Sequence, residues 1–565
     1  MSRRITCALL SLLVAISAAA AGLRYRLRPP LWADRDDRSI SQPAVWRESE
    51  LYAIFYNSWI RHLSVEHHAA AAIDSGALNV NAWDEVPDSS WFTNRIGRFP
   101  MDMEKIAQTL EGQRPAEGRW KIRRNNNEGY TPKFDIEDAA GRRYVLKFDP
   151  PGGLERNSAA ERICTLIMHA AGYNVPHNTI EYFTPDRLYF EDDSLFIDPL
   201  GARRPLNAAD VEKTLQEVPR LADGRYRAVA SLVIPGIAAV GRFFYSGLRK
   251  DDPNDIIPHE LRRELRGLRV IASWINHVDV GDKNALDMYV ERDERKFVKH
   301  YFLDFGSAMG SGNFVNGPFR VGHEYIFDGS AIGLSFLTLG GWRRPWEARG
   351  RIAFPEIGYF QHEVFDPEKW KPNYPNLAFN RADDSDGYWG AKIVTAFSDA
   401  IIDGLAETGE YTRPEAARYL ADVLKTRRNR IGDYWFDRIT PLEDVALKSD
   451  GGKSELTFSD IGVARGYAAA PSRQYRYWVE DLQGKRLTPV VTTGGINRVD
   501  VSNMPGVFSS SRGGAPDQFG RAPSVRVLIQ SNRRVNGWSI PVEVYLGTTG
   551  RPDEPQVLGW FHAPR

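Results

Sequence analysis

Three polar residues have the types and spacing to do chemistry: Asp279, Asn284 five positions later, and Asp304 inside Leu303-Asp304-Phe305-Gly306. A carboxylate and an amide oxygen are hard donors of the kind Mg2+ takes. That ion keeps several waters, so one or two protein carboxylates suffice. Phosphoryl transfer needs such a metal on the phosphate oxygens, an oriented nucleophile and charge stabilisation, with little covalent help. Asp304 and Asn284 are therefore candidate metal ligands, and Asp279 is a candidate base for a hydroxyl nucleophile. Lys283 adds positive charge near the transferred group. Asp282 and Asp287 compete for the base role, and the spacing to Asn284 favours Asp279.

Other elements must hold these residues in place. Residues 117–150 read as strands around polar turns, with Gly129 in the first turn and Lys147 alternating with apolar Leu146 and Phe148. A glycine-containing loop followed by a strand lysine is the order of a phosphate-covering loop and a phosphate-binding lysine. The stretch 155–172 reads as a helix with an apolar stripe of Ile163, Leu166, Ile167, Ala170 and Ala171, stopped by Gly172 and Pro176. Glu161 on this helix is placed to orient Lys147, and Glu155 is the rival. Strands are expected at 178–183 and 226–234, then a helix over 259–277 that delivers the chain to Asp279.

Gly129-Tyr-Thr-Pro-Lys-Phe134, Tyr144-Val-Leu-Lys147, Glu161 through Val175-Pro176, and Asp279-Val-Gly-Asp-Lys-Asn284 resemble the HipA-type branch of the protein-kinase-like superfamily. The resemblance covers about residues 117–310. It implies an α+β, two-lobed kinase-like fold, with an N-lobe at 117–236 and a C-lobe at 237–446. It also implies ATP and magnesium as cofactors, and a protein or small-molecule hydroxyl as acceptor. Gly281 stands where that branch has a histidine, and no Ala-Pro-Glu landmark follows Gly306.

The remaining chain sets the frame. Its 565 residues predict several domains, and 42% hydrophobic with 26% charged residues is ordinary globular composition. Equal numbers of basic and acidic residues, 73 each, give no overall electrostatic case for nucleic acid. Only Cys7 and Cys164 are present, so the globular part can build neither an intrachain disulfide nor a cysteine zinc site. Cys164 reads as a small core hydrophobe.

Residues 1–22 have a basic start, an apolar middle and a small-residue end. That pattern predicts a signal peptide and export to a periplasmic or extracellular space, or else a membrane anchor over residues 5–23. Arg24, Arg26 and Arg28 would favour a cytoplasm-facing orientation for an anchor. Residues 23–116 read as an N-terminal extension, with an amphipathic helix at 46–63 and an ordered, aromatic-rich loop at 81–95. Residues 311–385 read as an irregular cover. Helices are expected at 387–407 and 413–436, the second opened by a Thr412–Glu415 capping box. Arg427, Arg428 and Arg430 read as a solvated basic face, with a phosphate-binding patch as the alternative. Residues 447–565 alternate like the strands of a small β-sandwich.

Three functions fit this reading. One is an ATP- and Mg2+-dependent phosphotransferase. The second is a non-catalytic exported scaffold on the same fold. The third is a nucleotidyl (AMP) transferase using the same residues.

Overall fold

In the computed structural model, residues 28–46, 76–108, 112–126, 132–198, 201–312, 318–347, 350–450, 453–495, 497–502, 516–549 and 554–562 are described, with Phe55, Tyr56 and Ile60. The apolar segment 5–23, most of the expected helix 46–63, and Gly129 lie outside these residues.

The chain is α+β. After α1 (Met103–Gln108), an eight-stranded sheet forms from β1 (Trp120–Asn126), β2 (Lys133–Glu137), β3 (Arg143–Phe148), β4 (Asn178–Phe183), β5 (Leu188–Tyr189), β6 (Leu195–Ile197), β7 (Arg203–Pro205) and β8 (Tyr226–Leu232). Its order is β4-β8-β3-β2-β1-β6-β7, with β5 beside β1. α2 (Arg156–Ala171) follows β3, and α3 (Ala208–Gln216) lies between β7 and β8. Alternation along β3 buries Tyr144, Leu146 and Phe148 in one cluster with Trp120, Phe134 and Tyr226. The period of two turns Val145 and Lys147 to the opposite face.

Beyond β8 the chain enters a three-stranded sheet of β9 (Ala238–Gly241), β10 (Ala285–Arg292) and β11 (Arg295–Phe302), ordered β11-β10-β9. The helices are α4 (Arg263–Trp274), α5 (Gly329–Leu337), α6 (Leu377–Asn380), α7 (Asp384–Val394), α8 (Asp399–Glu407) and α9 (Pro414–Arg438). The apolar face of α2 joins α4, α7, α8 and α9 in one large core. Cys164 is part of that core, as expected.

Several boundaries differ from the sequence reading. The helix expected over 259–277 begins at Arg263, because Pro258 and a 3-10 turn at His259–Leu261 precede it. The stretch expected as one helix over 387–407 is two, α7 and α8, with Ser398 capping the second through Ile401 N–H. Thr412 makes no capping box for α9; its N–H and hydroxyl instead donate to Glu155. Arg427 is not solvated. It is buried, donates to the carbonyls of Ser273, Trp274 and Gln361, and lies 3.8 Å over the Phe365 ring. Burial lowers its pKa to about 9, and three carbonyl acceptors offset part of that cost.

The C-terminal strands are β12 (Leu442–Asp450), β13 (Lys453–Asp460), β14 (Gln474–Glu480), β15 (Val491–Gly494), β16 (Arg498–Asp500), β17 (Arg521–Ser531), β18 (Val542–Thr549) and β19 (Gln556–His562), with a short α10 (Ile461–Ala464). They form a β12-β13-β16 sheet and a β15-β14-β17-β18-β19 sheet, which share one apolar cluster. The strands begin at Leu442, not at 447.

The N-terminal segment ties these parts together. Trp91 is 1% exposed and stacks on the His300 ring at 3.5 Å between centroids. Asp84 pairs with Arg263 on α4 at 2.7 Å and with His562 at the end of β19 at 3.0 Å. The loop 81–95 is ordered as expected: Asn81 Oδ1 accepts from the Trp83 and Glu85 N–H groups, and Asp88 from Asn94.

Candidate functional site

Lys147 leaves the face of β3 opposite its aromatic cluster, toward α2. Its Nζ lies 3.1 Å from Glu161 Oε1 and 3.0 Å from Asp304 Oδ1. Glu161 is 1% exposed and sits one helical turn from Thr165. Asn178 on β4 donates from Nδ2 to Glu161 Oε1 and to Thr165 Oγ1. The rival Glu155 is not at this site; its carboxylate accepts from Thr412.

The other half of the site is set by a helix end and a hairpin. At the C-terminus of α4, Asn276 has φ 50°, and the N–H groups of Asn276 and His277 donate to the carbonyls of Ser273 and Ala272. This left-handed cap turns the chain out of the helix. Val278 and Val280 are buried on either side of Asp279, and Asn373 N–H donates to Val278 O at 2.7 Å. A 3-10 turn at Asp282–Asn284 then enters β10.

The β10–β11 register pairs Ala285 with Phe302, so Asn284 faces Leu303, whose N–H donates to Asn284 O at 2.9 Å. This bond brings Asp304, the next residue, to the same end of the hairpin as Asn284. Asp304 has φ 59°, the left-handed region that a non-glycine residue occupies at a cost. A side chain on Gly306 would meet Glu161 Oε2 at 3.3 Å.

Asp279 Oδ2 is held by Lys283 Nζ at 2.9 Å and Asn284 Nδ2 at 3.1 Å. Asn284 Nδ2 also donates to Asp279 O. Both Asn284 side-chain contacts use its NH2, which leaves the amide oxygen available to a cation. Asp279 Oδ1 is buried and has no hydrogen-bond partner among the described residues. Asp287 does not compete for this role; it is buried between Arg249 at 3.0 Å and His300 at 2.7 Å.

The electrostatics join the two halves. Burial works against the Lys147 ammonium, but Asp304 and Glu161 outweigh it and raise its pKa. Asp304 is exposed, with 55% of its side-chain surface open, and Lys147 holds it below its ordinary value with help from Lys133 and Lys283. Burial raises Glu161. Burial also lowers His277 to about 4, against the pull of Asp279 and Asp304.

Sequence reasoning assigned no role to Lys133, Asn178 or His277. Lys133 pairs with Lys147 across the β2–β3 ladder, which sets two like charges on one face. Such a pair is unfavourable unless anions lie nearby. The Pro132-Lys133 pair was the available signal. Asn178 and His277 gave none, because only tertiary packing brings them in.

Among the described residues, no group of three His, Cys, Asp or Glu side chains gathers to hold a metal, and no helix is long and apolar enough to cross a membrane. A magnesium ion carried on phosphates needs no such group, and Asp304 with the Asn284 amide oxygen is a donor set that suits it.

No protein-family model matches the chain, and no curated protein matches it. Among solved structures, the chain is similar to the Golgi casein kinase at 12% identity and a TM-score of 0.30, over 72% of this chain and 93% of that one. It is similar to the same kinase with Mn/ADP bound at 13% identity and a TM-score of 0.25, over 72% and 95%.

Proposed function

We propose that this chain is an ATP- and Mg2+-dependent phosphotransferase with a kinase-like, two-lobed arrangement around Lys147 and Asp304. The observation that carries the reading is Lys147 bridging Glu161 and Asp304, with Asp304 following Leu303, which is bonded to Asn284 at the end of the hairpin. Lys147, with Lys133 opposite it, would hold the phosphate oxygens, and Glu161 would keep the lysine aimed. Asp304 and the Asn284 amide oxygen would hold Mg2+, which supplies charge neutralisation on the phosphates. Asp279 Oδ1, which has no hydrogen-bond partner among the described residues, would accept the proton of an acceptor hydroxyl. The hydroxyl oxygen bonds to the γ-phosphorus as the bond to the leaving ADP breaks. Lys283 would then stabilise the Asp279 side of the reaction.

The test pairs binding with turnover. ATP with magnesium is expected to raise the melting temperature of the native chain, since a ligand of the folded state stabilises it. Asp279→Ala is expected to keep that shift and to lose transfer of labelled γ-phosphate. No thermal shift in the parent chain would leave the scaffold as the better reading. Full transfer by Asp279→Ala would remove that residue from the base role, and a product carrying AMP would replace phosphoryl by nucleotidyl transfer.

A further inference from the structure

A wide cavity lies away from Lys147. Its volume is about 1050 Å3, and it lies between the irregular segment after Val321, the start of α7 and the last turns of α9. That exceeds the roughly 300–1,000 Å3 of an ordinary small-molecule pocket.

Its lining has a distinctive chemistry. Tyr325, Trp342, Trp346 and Tyr434 are half-buried rings on its wall. Deeper in, Trp435 is 5% exposed and its Nε1–H has no acceptor among the described residues. Asp384 Oδ1 accepts from Arg438 Nε at 2.5 Å, whereas Asp384 Oδ2 is buried with no donor among the described residues. One buried donor and one buried acceptor, on two residues that line the same cavity, thus lack partners among the described residues. Groups of this kind are normally satisfied, and each exception asks for an explanation.

Charge narrows the class of ligand. Five Lys and Arg residues line the cavity against six Asp and Glu. Its cations are largely engaged already: Lys371 with Asp328, Lys369 with Asp366, and Arg438 with Asp384. Neither a polyanion nor a polycation has a field to follow here. A neutral ligand with flat apolar faces and hydroxyl groups matches the wall, because a hydroxyl both donates and accepts.

We propose that this cavity is a binding site for a neutral saccharide. Its C–H faces pack on the aromatic rings, and its hydroxyls accept from Trp435 Nε1–H and donate to Asp384 Oδ2. The site adjoins the loop that carries Asp279. Asn276 lines the cavity and accepts from Trp370 Nε1 at 2.8 Å, three residues before Asp279. Binding here stands independently of the phosphotransferase reading, since none of Lys147, Asp279 or Asp304 lines the cavity.

The test is a printed array of neutral, sialylated and sulfated glycans probed with the whole chain in the absence of nucleotide, followed by titration with the best neutral oligosaccharide. Binding confined to neutral glycans is expected. Trp435→Phe, which removes the N–H with the five-membered part of the indole, and Asp384→Asn are each expected to weaken it about tenfold, in variants that still melt cooperatively. No neutral glycan bound, binding only of the anionic glycans, or unchanged affinity in a folded Trp435→Phe would each overturn the proposal. Because nucleotide is absent, loss of phosphate transfer elsewhere leaves this result untouched.

Discussion

Replacing Lys147 by Met keeps most of the side chain's length and removes its charge. Glu161 is then left in the core with only Asn178 for company, and its Oε2 already lacks a partner. Breaking one side of a buried pair costs about 3–5 kcal/mol when the other charge cannot escape. Glu161 has an escape, which is to take up a proton. From an ordinary value of 4.5, holding it protonated at pH 7 costs at most about 3.4 kcal/mol, at 1.36 kcal/mol per unit. At pH 5 the same ceiling is about 0.7 kcal/mol. The sign follows: a carboxylate raised in the folded state binds more protons folded than unfolded, so the variant loses stability as pH rises. Lys147→Met is therefore expected to cost about 3 kcal/mol at pH 7 and less than about 1 kcal/mol at pH 5. Urea titrations at the two pH values read this as a midpoint shift. The double variant Lys147→Met with Glu161→Gln is expected to show little pH dependence between them. An equal loss at pH 5 and pH 7 in the single variant would refute the reasoning, because Glu161 would then not be a confined charge.

Two further outcomes are expected. Gly306→Ala brings a methyl within 3.3 Å of Glu161 Oε2 and should cost about 1–3 kcal/mol, whereas Gly281→Ala meets nothing within 4 Å and should stay within about 0.5 kcal/mol; equal effects in thermal melts would contradict this contrast. His277 is held neutral down to about pH 4 by burial, while its unfolded form protonates near 6.5, so stability should fall as pH drops through that window, by at most about 3.4 kcal/mol. The difference between the pH–stability profiles of the parent and His277→Gln isolates this loss, and parallel profiles would exclude it.

The parts of this molecule that could be read from sequence are those governed by local periodicity. The alternation around Lys147 gave β3, and the stripe from Ile163 to Ala171 gave α2 to within a residue at each end. The order of Lys147, Glu161, Asp279, Asn284 and Asp304 along the chain also marked which side chains to look for. What could not be read was pairing at a distance. Thr412 looks like a cap until Glu155, 257 residues earlier, is seen to accept from it. Arg427 looks solvated until three distant carbonyls surround it. The cavity near Trp435 is walled partly by helices and partly by the stretch after Val321, which has no period, so composition marked that stretch only as irregular. Gly129 remains an expectation, outside the described residues.

Asp84 has a temporal consequence. Its burial is supported by Arg263 and by His562, and the second partner is 478 residues further along the chain. At about 5–20 residues per second of synthesis, roughly 25–95 s separate the two. During that interval the first-made segment holds a carboxylate whose native environment does not yet exist. The α4 helix can receive it early, but β19 closes the structure last. The surroundings of this carboxylate are therefore complete only once β19 lies beside it.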